Sequence, residues 1–201
     1  DPVPGAAKKL ADVYGASAYD SAEELLSQAN IDALVIASSA RSHTELVIAG
    51  ANAGKAVWCE KPMAMTLEDA DRAIAAADAA EVILQVGFNR RFAKDFRAAH
   101  DVIASGGIGK VQLLRSLTRD PGLSNPGGVP PWTIYRETLI HDFDALLWFA
   151  NGAKPVEVFA MADALVAPDF KEKELLDTSI VMIRFDNGAI AFASAWVAFE
   201  F

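Results

Sequence analysis

The sequence predicts an α/β fold in two parts: a parallel sheet covered by helices, then a second domain on a mostly antiparallel open sheet. Helical and strand-like segments alternate through the first part, and its strands are short unbroken apolar runs such as Ala33-Leu34-Val35-Ile36-Ala37. After Gly87 the rhythm changes to longer strand-like runs, two of them joined at Asp186-Asn187-Gly188, a strong hairpin signature.

Gly5 to Tyr14 has helical spacing, with Leu10 and Val13 placed to pack inward. Ser21-Ala22-Glu23-Glu24 matches a capping box, in which Ser21 and Glu24 satisfy each other's free backbone donors at a helix start. Ala33 to Ala37 has no polar alternation, as strands covered on both faces require. Ser42 to Ala53 reads as a helix closed by Gly54, Ala56 to Cys59 as a strand, Thr66 to Ala80 as a helix and Val82 to Val86 as a strand. Right-handed crossovers in such a succession bring the carboxyl ends of the strands to one edge, where open sheets bind ligands. Ser38-Ser39, Glu60-Lys61 and Gly87-Phe88-Asn89 fall on that edge.

In the second part a helix is expected from about Arg91 to Ala104 and a strand from Lys110 to Leu117, followed by a Pro/Gly-rich loop from Pro121 to Pro131. Tyr135 to Phe149 has helical periodicity up to Asn151-Gly152, and Val156 to Met161 and Thr178 to Phe185 read as strands. Asp186-Asn187-Gly188 predicts a type I′ turn with two positive φ angles. The domains are drawn at residues 1–89 and 90–201.

With 201 residues, 52% of them hydrophobic, the chain can bury a sizeable core. Eighteen basic against twenty-seven acidic residues give a net charge of -9, a field that opposes nucleic acid and anionic membrane. A single cysteine, Cys59, allows no internal disulfide and fits a reducing compartment, with the cytoplasm the default location. No apolar run approaches the roughly 20 residues needed to span a bilayer. Asp1-Pro2 reads as the exit of a strand and Ala191 to Phe201 as a strand-like run that stops midway, so a piece of a longer chain is expected.

Lys61, in Glu60-Lys61-Pro62, leaves a strand at the ligand edge. An ammonium group there can hold a substrate hydroxyl and favour the alkoxide that develops as hydride departs, although a solvent-facing lysine is the more ordinary reading of the tripeptide alone. Glu137 and His141 are four residues apart, on one face of a helix, where a carboxylate can orient an imidazole that takes a hydroxyl proton. An ordinary helical pair beside Leu139, Ile140 and Phe143 explains the same spacing. Asp142 and Asp144 extend the polar cluster or are surface charges of the helix. His43 stands at a helix start beside the ligand edge, where free N–H groups favour anions and capping is the plainer role. Arg90 and Arg91 could reach a substrate oxygen or a phosphate, or be solvated. Cys59 fits the core, and His100 is assigned nothing. No histidine or carboxylate cluster has metal-ligand spacing, and neither a Gly-x-Ser-x-Gly elbow nor a Gly-x-Gly-x-x-Gly phosphate loop is present.

Together, Asp32 to Ile36, His43, Gly54 to Pro62, Gln85 to Phe92 and His141-Asp142-Phe143-Asp144 resemble the Gfo/Idh/MocA oxidoreductases, and within them the inositol 2-dehydrogenases. The resemblance implies a partial NAD(P)-binding Rossmann domain, its glycine-loop unit missing, joined to an α/β substrate and oligomerisation domain truncated at its C-terminus. It implies oxidation of a secondary alcohol of a cyclic polyol or sugar to a ketone, with Lys61, His141 and Glu137 catalytic. Glu137 stands where the family usually has an aspartate. Asp1, Ser38, Ser39, His43, Glu60, Lys61 and Asn89 would meet the cofactor, and Arg91, Asp120 and Asp144 the substrate. Asp1 would accept the adenosine ribose hydroxyls, favouring NAD over NADP. Thr118-Arg119-Asp120 replaces a frequent His-Arg-Asn, so the polyol stays open. No metal is implied, and a homo-oligomer is expected of an open sheet. A dehydrogenase or reductase for another sugar, and a non-catalytic regulator that senses dinucleotide or sugar, are the competing readings.

Overall fold

The structure, a computed structural model, describes residues 1, 3–28, 30–120, 131–166, 168–173 and 175–197. It divides into two compact units, Asp1–Gly87 and Phe88–Phe201. The expected loop at 121–130, the last residues of the C-terminal run and Pro2 lie outside the described residues.

In the first unit α1 (Ala6–Tyr14) and α2 (Ala22–Leu26) precede β1 (Ala33–Ile36), α3 (His43–Asn52), β2 (Ala56–Cys59), α4 (Leu67–Ala79) and β3 (Leu84–Val86). The strands are parallel in the order β1-β2-β3, with Leu34 beside Val57 and Val57 beside Leu84. Ser21 caps α2 by accepting from the Glu24 N–H, but Glu24 accepts in return from Asp20 rather than Ser21. The core joins Leu34, Ile36, Val57 and Cys59 of the strands to Val47 of α3 and Ala73 of α4. A Cβ on Gly50 would lie 2.9 Å from Val57 Cγ2 and 3.0 Å from Leu34 Cδ2, so glycine lets α3 approach the sheet.

Two expectations fail in this unit for one reason. β1 is not covered on both faces: Leu34 and Ile36 are buried while Val35 is 68% exposed. Leu10 and Val13 of α1 are likewise exposed, and the small Ala11 makes the buried contact. Leu10, Tyr14 and Val35 instead line a cavity of about 650 Å³ between α1, α2 and β1. Apolar character in the sequence reports what a face can bury, not whether a described element covers it. The strand expected from Val82 begins at Leu84, because the turn after α4 runs through Glu81 at φ 54° and the Val82 N–H donates back to Ala77 O.

The second unit holds α5 (Lys94–Ala104), β4 (Leu113–Asp120), α6 (Ile140–Phe149), β5 (Pro155–Asp163), β6 (Thr178–Phe185) and β7 (Ile190–Val197). The helix expected from Arg91 is divided: Asn89–Phe92 form a 3-10 turn and Ala93 is extended before α5. β4 starts three residues later than expected, after turns at Gly106 and Gly109 with φ of 76° and 72°. Its sheet, ordered β4-β7-β6-β5, is mixed: β6 is antiparallel to β5 and β7, and β4 is parallel to β7. At the β6–β7 turn only Gly188 has positive φ, at 86°, and its N–H donates to Phe185 O. The turn is therefore a tight bend closed by one left-handed glycine, not the type I′ turn expected.

Val181, Ile183, Phe185, Ala191, Ala193 and Ala195 form the covered face of this sheet and pack with Leu139 and Leu146. On the opposite face Met161, Ile180, Met182 and Leu117 are exposed, and the Arg119 guanidinium lies 4.1 Å from the Trp196 ring centre. Among the described residues no helix is long and apolar enough to cross a membrane.

Candidate active site

In the first unit β1 and β2 deliver their following residues to one edge. The Glu60 N–H donates to Ile36 O at 2.9 Å and the Lys61 N–H to Glu60 Oε2 at 3.1 Å, before the cis bond to Pro62. Lys61 and Glu60 are half-buried, Ser38 and Ser39 exposed. The Ser38 and Ser42 hydroxyls are 2.7 Å apart, and Ser42 Oγ donates to Ser39 O. Asp1 accepts from the Val3 N–H at 2.8 Å and lines the cavity together with Ala37 and Ser38. A carboxylate beside the carboxyl end of a parallel strand suits the ribose hydroxyls of a dinucleotide.

His43 does not face outward to an anion. It is 1% exposed, with Nδ1 2.8 Å from Pro62 O and Nε2 3.1 Å from Ser38 O, so both ring nitrogens are turned to backbone carbonyls. Cys59 is buried as expected, and its thiol pKa is pushed up to about 11 by burial and then by the negative charge of Glu60. That makes it a core residue rather than a nucleophile.

In the second unit the two aspartates after His141 are not surface charges. Asp142 is fully buried and accepts from Arg90 Nη1 at 2.9 Å, from Thr118 Oγ1 at 2.8 Å and from the Ser116 hydroxyl. Arg90 Nη2 also donates to Thr118 Oγ1 at 3.0 Å. Asp144 is engaged by Arg91 through two nitrogens, Nε at 2.9 Å and Nη2 at 2.7 Å. The Arg91 pKa is raised, chiefly by the hydrogen bonds to Asp144. Arg91 also lies over Trp148, which stacks on His100 at 4.1 Å.

Glu137 and His141 are half-buried. Ile134–Leu139 is a π-helical turn and α6 begins at Ile140, so the pair straddles the junction; a π turn holds more residues than an α turn, and a spacing of four keeps close to one face across it. Asp120, at the end of β4, accepts from Thr138 Oγ1 at 2.7 Å. Asn89 is exposed and opens the 3-10 turn of the second unit.

The structure thus groups Asp1, Ser38, Ser39, Glu60 and Lys61 on one edge of the first unit and pairs Arg91 with Asp144 in the second. It turns His43 inward and commits Asp120 to Thr138. The anchoring of Asp142 by Arg90, Ser116 and Thr118 was not foreseen. Its one sequence signal is the two-residue alternation of hydroxyls on β4 opposite an aspartate of α6.

Residues 1–88 match the Gfo/Idh/MocA model described as oxidoreductase family, NAD-binding Rossmann fold, and residues 96–200 match the Gfo/Idh/MocA C-terminal domain. The chain belongs to the Gfo/Idh/MocA family. It is 39% identical over 179 residues to the myo-inositol 2-dehydrogenase of Thermotoga maritima, a match covering 86% of this chain and 52% of that protein. Among solved Gfo/Idh/MocA-like structures, a probable dehydrogenase from Thermotoga maritima superposes with a TM-score of 0.89 at 35% identity, covering 98% of this chain and 60% of that one. A scyllo-inositol dehydrogenase from Lactobacillus casei, solved with NAD(H) and scyllo-inositol, gives a TM-score of 0.86 at 25% identity over 98% of this chain and 60% of that one. The chain spans about half the length of the curated relatives it matches.

Proposed function

We propose that this chain is part of an NAD-dependent dehydrogenase that oxidises a secondary alcohol of a cyclic polyol or sugar, of the inositol type, to a ketone. The observation that carries the reading is Lys61, held by Glu60 and Pro62 at the carboxyl edge of a parallel sheet, in a chain whose relatives include named inositol dehydrogenases. NAD, when bound, supplies the acceptor for the hydride of the carbinol carbon. The Lys61 ammonium holds the substrate oxygen and offsets the negative charge that grows on it. His141 accepts the hydroxyl proton as the C=O bond forms, and Glu137 orients and supports the imidazolium.

Asp1, Ser38, Ser39, Glu60 and Asn89 are assigned to the cofactor, with the Asp1 carboxylate favouring NAD over NADP. Arg91 and Asp144, already paired, present a fixed guanidinium to substrate hydroxyls, and Asp120, held by Thr138 at the end of β4, is assigned to the same substrate. Residues 1–89 form the cofactor domain and 90–201 the substrate and oligomerisation domain, whose exposed Met161, Ile180 and Met182 suit a homo-oligomer. A cytoplasmic location fits the single reduced cysteine. Thr118 commits its hydroxyl to Asp142 where a histidine is frequent, so the choice of polyol stays open.

The test is Lys61→Met in the complete enzyme, with formation of reduced nicotinamide followed over a panel of inositols and sugars. A loss of at least ~10²-fold in kcat is expected. Undiminished turnover would remove Lys61 from the chemistry, and absence of turnover in the unaltered enzyme on every polyol would favour a sensing role.

A further inference from the structure

We propose that His43 is a positioning residue for Lys61: its imidazole, carried on α3, donates to the Pro62 carbonyl and so fixes the turn on which the lysine stands. The inference rests on the role given to Lys61 above. The ring is 1% exposed, so water does not compete for its nitrogens, and the contacts are 2.8 Å to Pro62 O and 3.1 Å to Ser38 O. Both facing oxygens are acceptors; a neutral imidazole has one N–H, which the shorter contact, Pro62 O, takes. A carbonyl buried there without a donor is costly, which opposes any rotation of the 61–62 segment away from the ring.

The clamp has a rigid reference. His43 is the first residue of α3, whose Val47 and Gly50 are seated on Leu34 and Val57. The imidazole thereby ties the chain leaving β2 to α3, while Glu60 fixes the same turn through the Ile36 carbonyl and the Lys61 N–H. With the backbone held at residues 60 and 62, the direction in which the Lys61 side chain leaves the turn is fixed. Displacement of a catalytic group by about 1 Å can cost 10²-fold in rate, so a backbone tie of this kind acts on turnover without touching substrate.

The test compares His43→Leu, which keeps bulk and loses the donor, with His43→Gln, whose amide can still donate to a carbonyl. In the complete enzyme His43→Leu is expected to lower kcat by roughly 10- to 100-fold while the KM for NAD stays within about twofold, and His43→Gln to recover most of the loss. In amide exchange followed by mass spectrometry, His43→Leu is expected to speed exchange over residues 60–65 by about tenfold and leave α3 within about twofold. If His43→Leu does not fold, His43→Asn, too short to reach the Pro62 carbonyl, takes its place with the same expected pattern. Exchange unchanged at 60–65, exchange raised equally throughout α3, or a glutamine variant no better than leucine would each overturn the clamp. Retained turnover in Lys61→Met would instead overturn the role of the lysine and leave the exchange result to judge the clamp.

Discussion

Replacing Asp142 with alanine is expected to destabilise the second unit by about 3–5 kcal/mol, the usual cost of removing one partner of a buried ion pair. The carboxylate has no exposed surface and takes hydrogen bonds from Arg90 at 2.9 Å, Thr118 at 2.8 Å and Ser116. Alanine leaves two hydroxyls without their acceptor, at about 1–3 kcal/mol each if water does not replace it. It also leaves the Arg90 guanidinium, whose side chain is 24% exposed, to turn toward solvent, which keeps the sum at the lower end. Asp142→Asn retains one acceptor oxygen and loses the charge, so about half the effect is expected. Urea unfolding followed by the fluorescence of Trp132, Trp148 and Trp196, all in the second unit, reads both variants. A loss below about 1 kcal/mol for alanine, or equal losses for alanine and asparagine, would refute the assignment of this cluster as a buried, charge-dependent anchor.

Gly50→Ala should cost about 1–3 kcal/mol, because the added Cβ meets Val57 and Leu34 at 2.9 and 3.0 Å; a thermal melt checks it. Arg91→Lys should lose the two-nitrogen grip on Asp144 and the stacking on Trp148 for about 0.5–1 kcal/mol, a small figure because the arginine is 43% exposed, and calorimetry can measure it. Folding raises the Cys59 pKa, so the stability this thiol contributes is complete below the ordinary thiol range and is lost as pH rises through about 11. Melting temperature against alkaline pH should therefore fall more steeply for the native chain than for Cys59→Ala.

The two-part architecture was legible because strand and helix periodicities differ and their order is local information. Thr178 to Phe185 became β6 with the bounds read from its alternation, whereas β4 shifted by three residues because glycine turns after α5 delayed it. What failed was whatever depended on a partner distant in sequence. Val35 and Leu10 are apolar, yet no described element covers them. The sequence left open whether Asp142 and Asp144 join a polar cluster or are helix-surface charges, because Arg90 and Arg91 lie some fifty positions earlier. Lys61 was found at the edge of its sheet by counting strand ends. His43 was read correctly as a helix start, while its carbonyl partners at Ser38 and Pro62 depend on how two loops meet.

The π-helical turn at Ile134–Leu139 has a mechanical consequence. Such a turn differs from an α-helix by one extra residue. Deleting that residue would rotate everything upstream by about 100° about the helix axis while α6 kept its place. Glu137 lies inside the widened turn and His141 in the helix that Asp142 pins to β4, so a deletion between Glu137 and Leu139 would swing the carboxylate away while the imidazole kept its place.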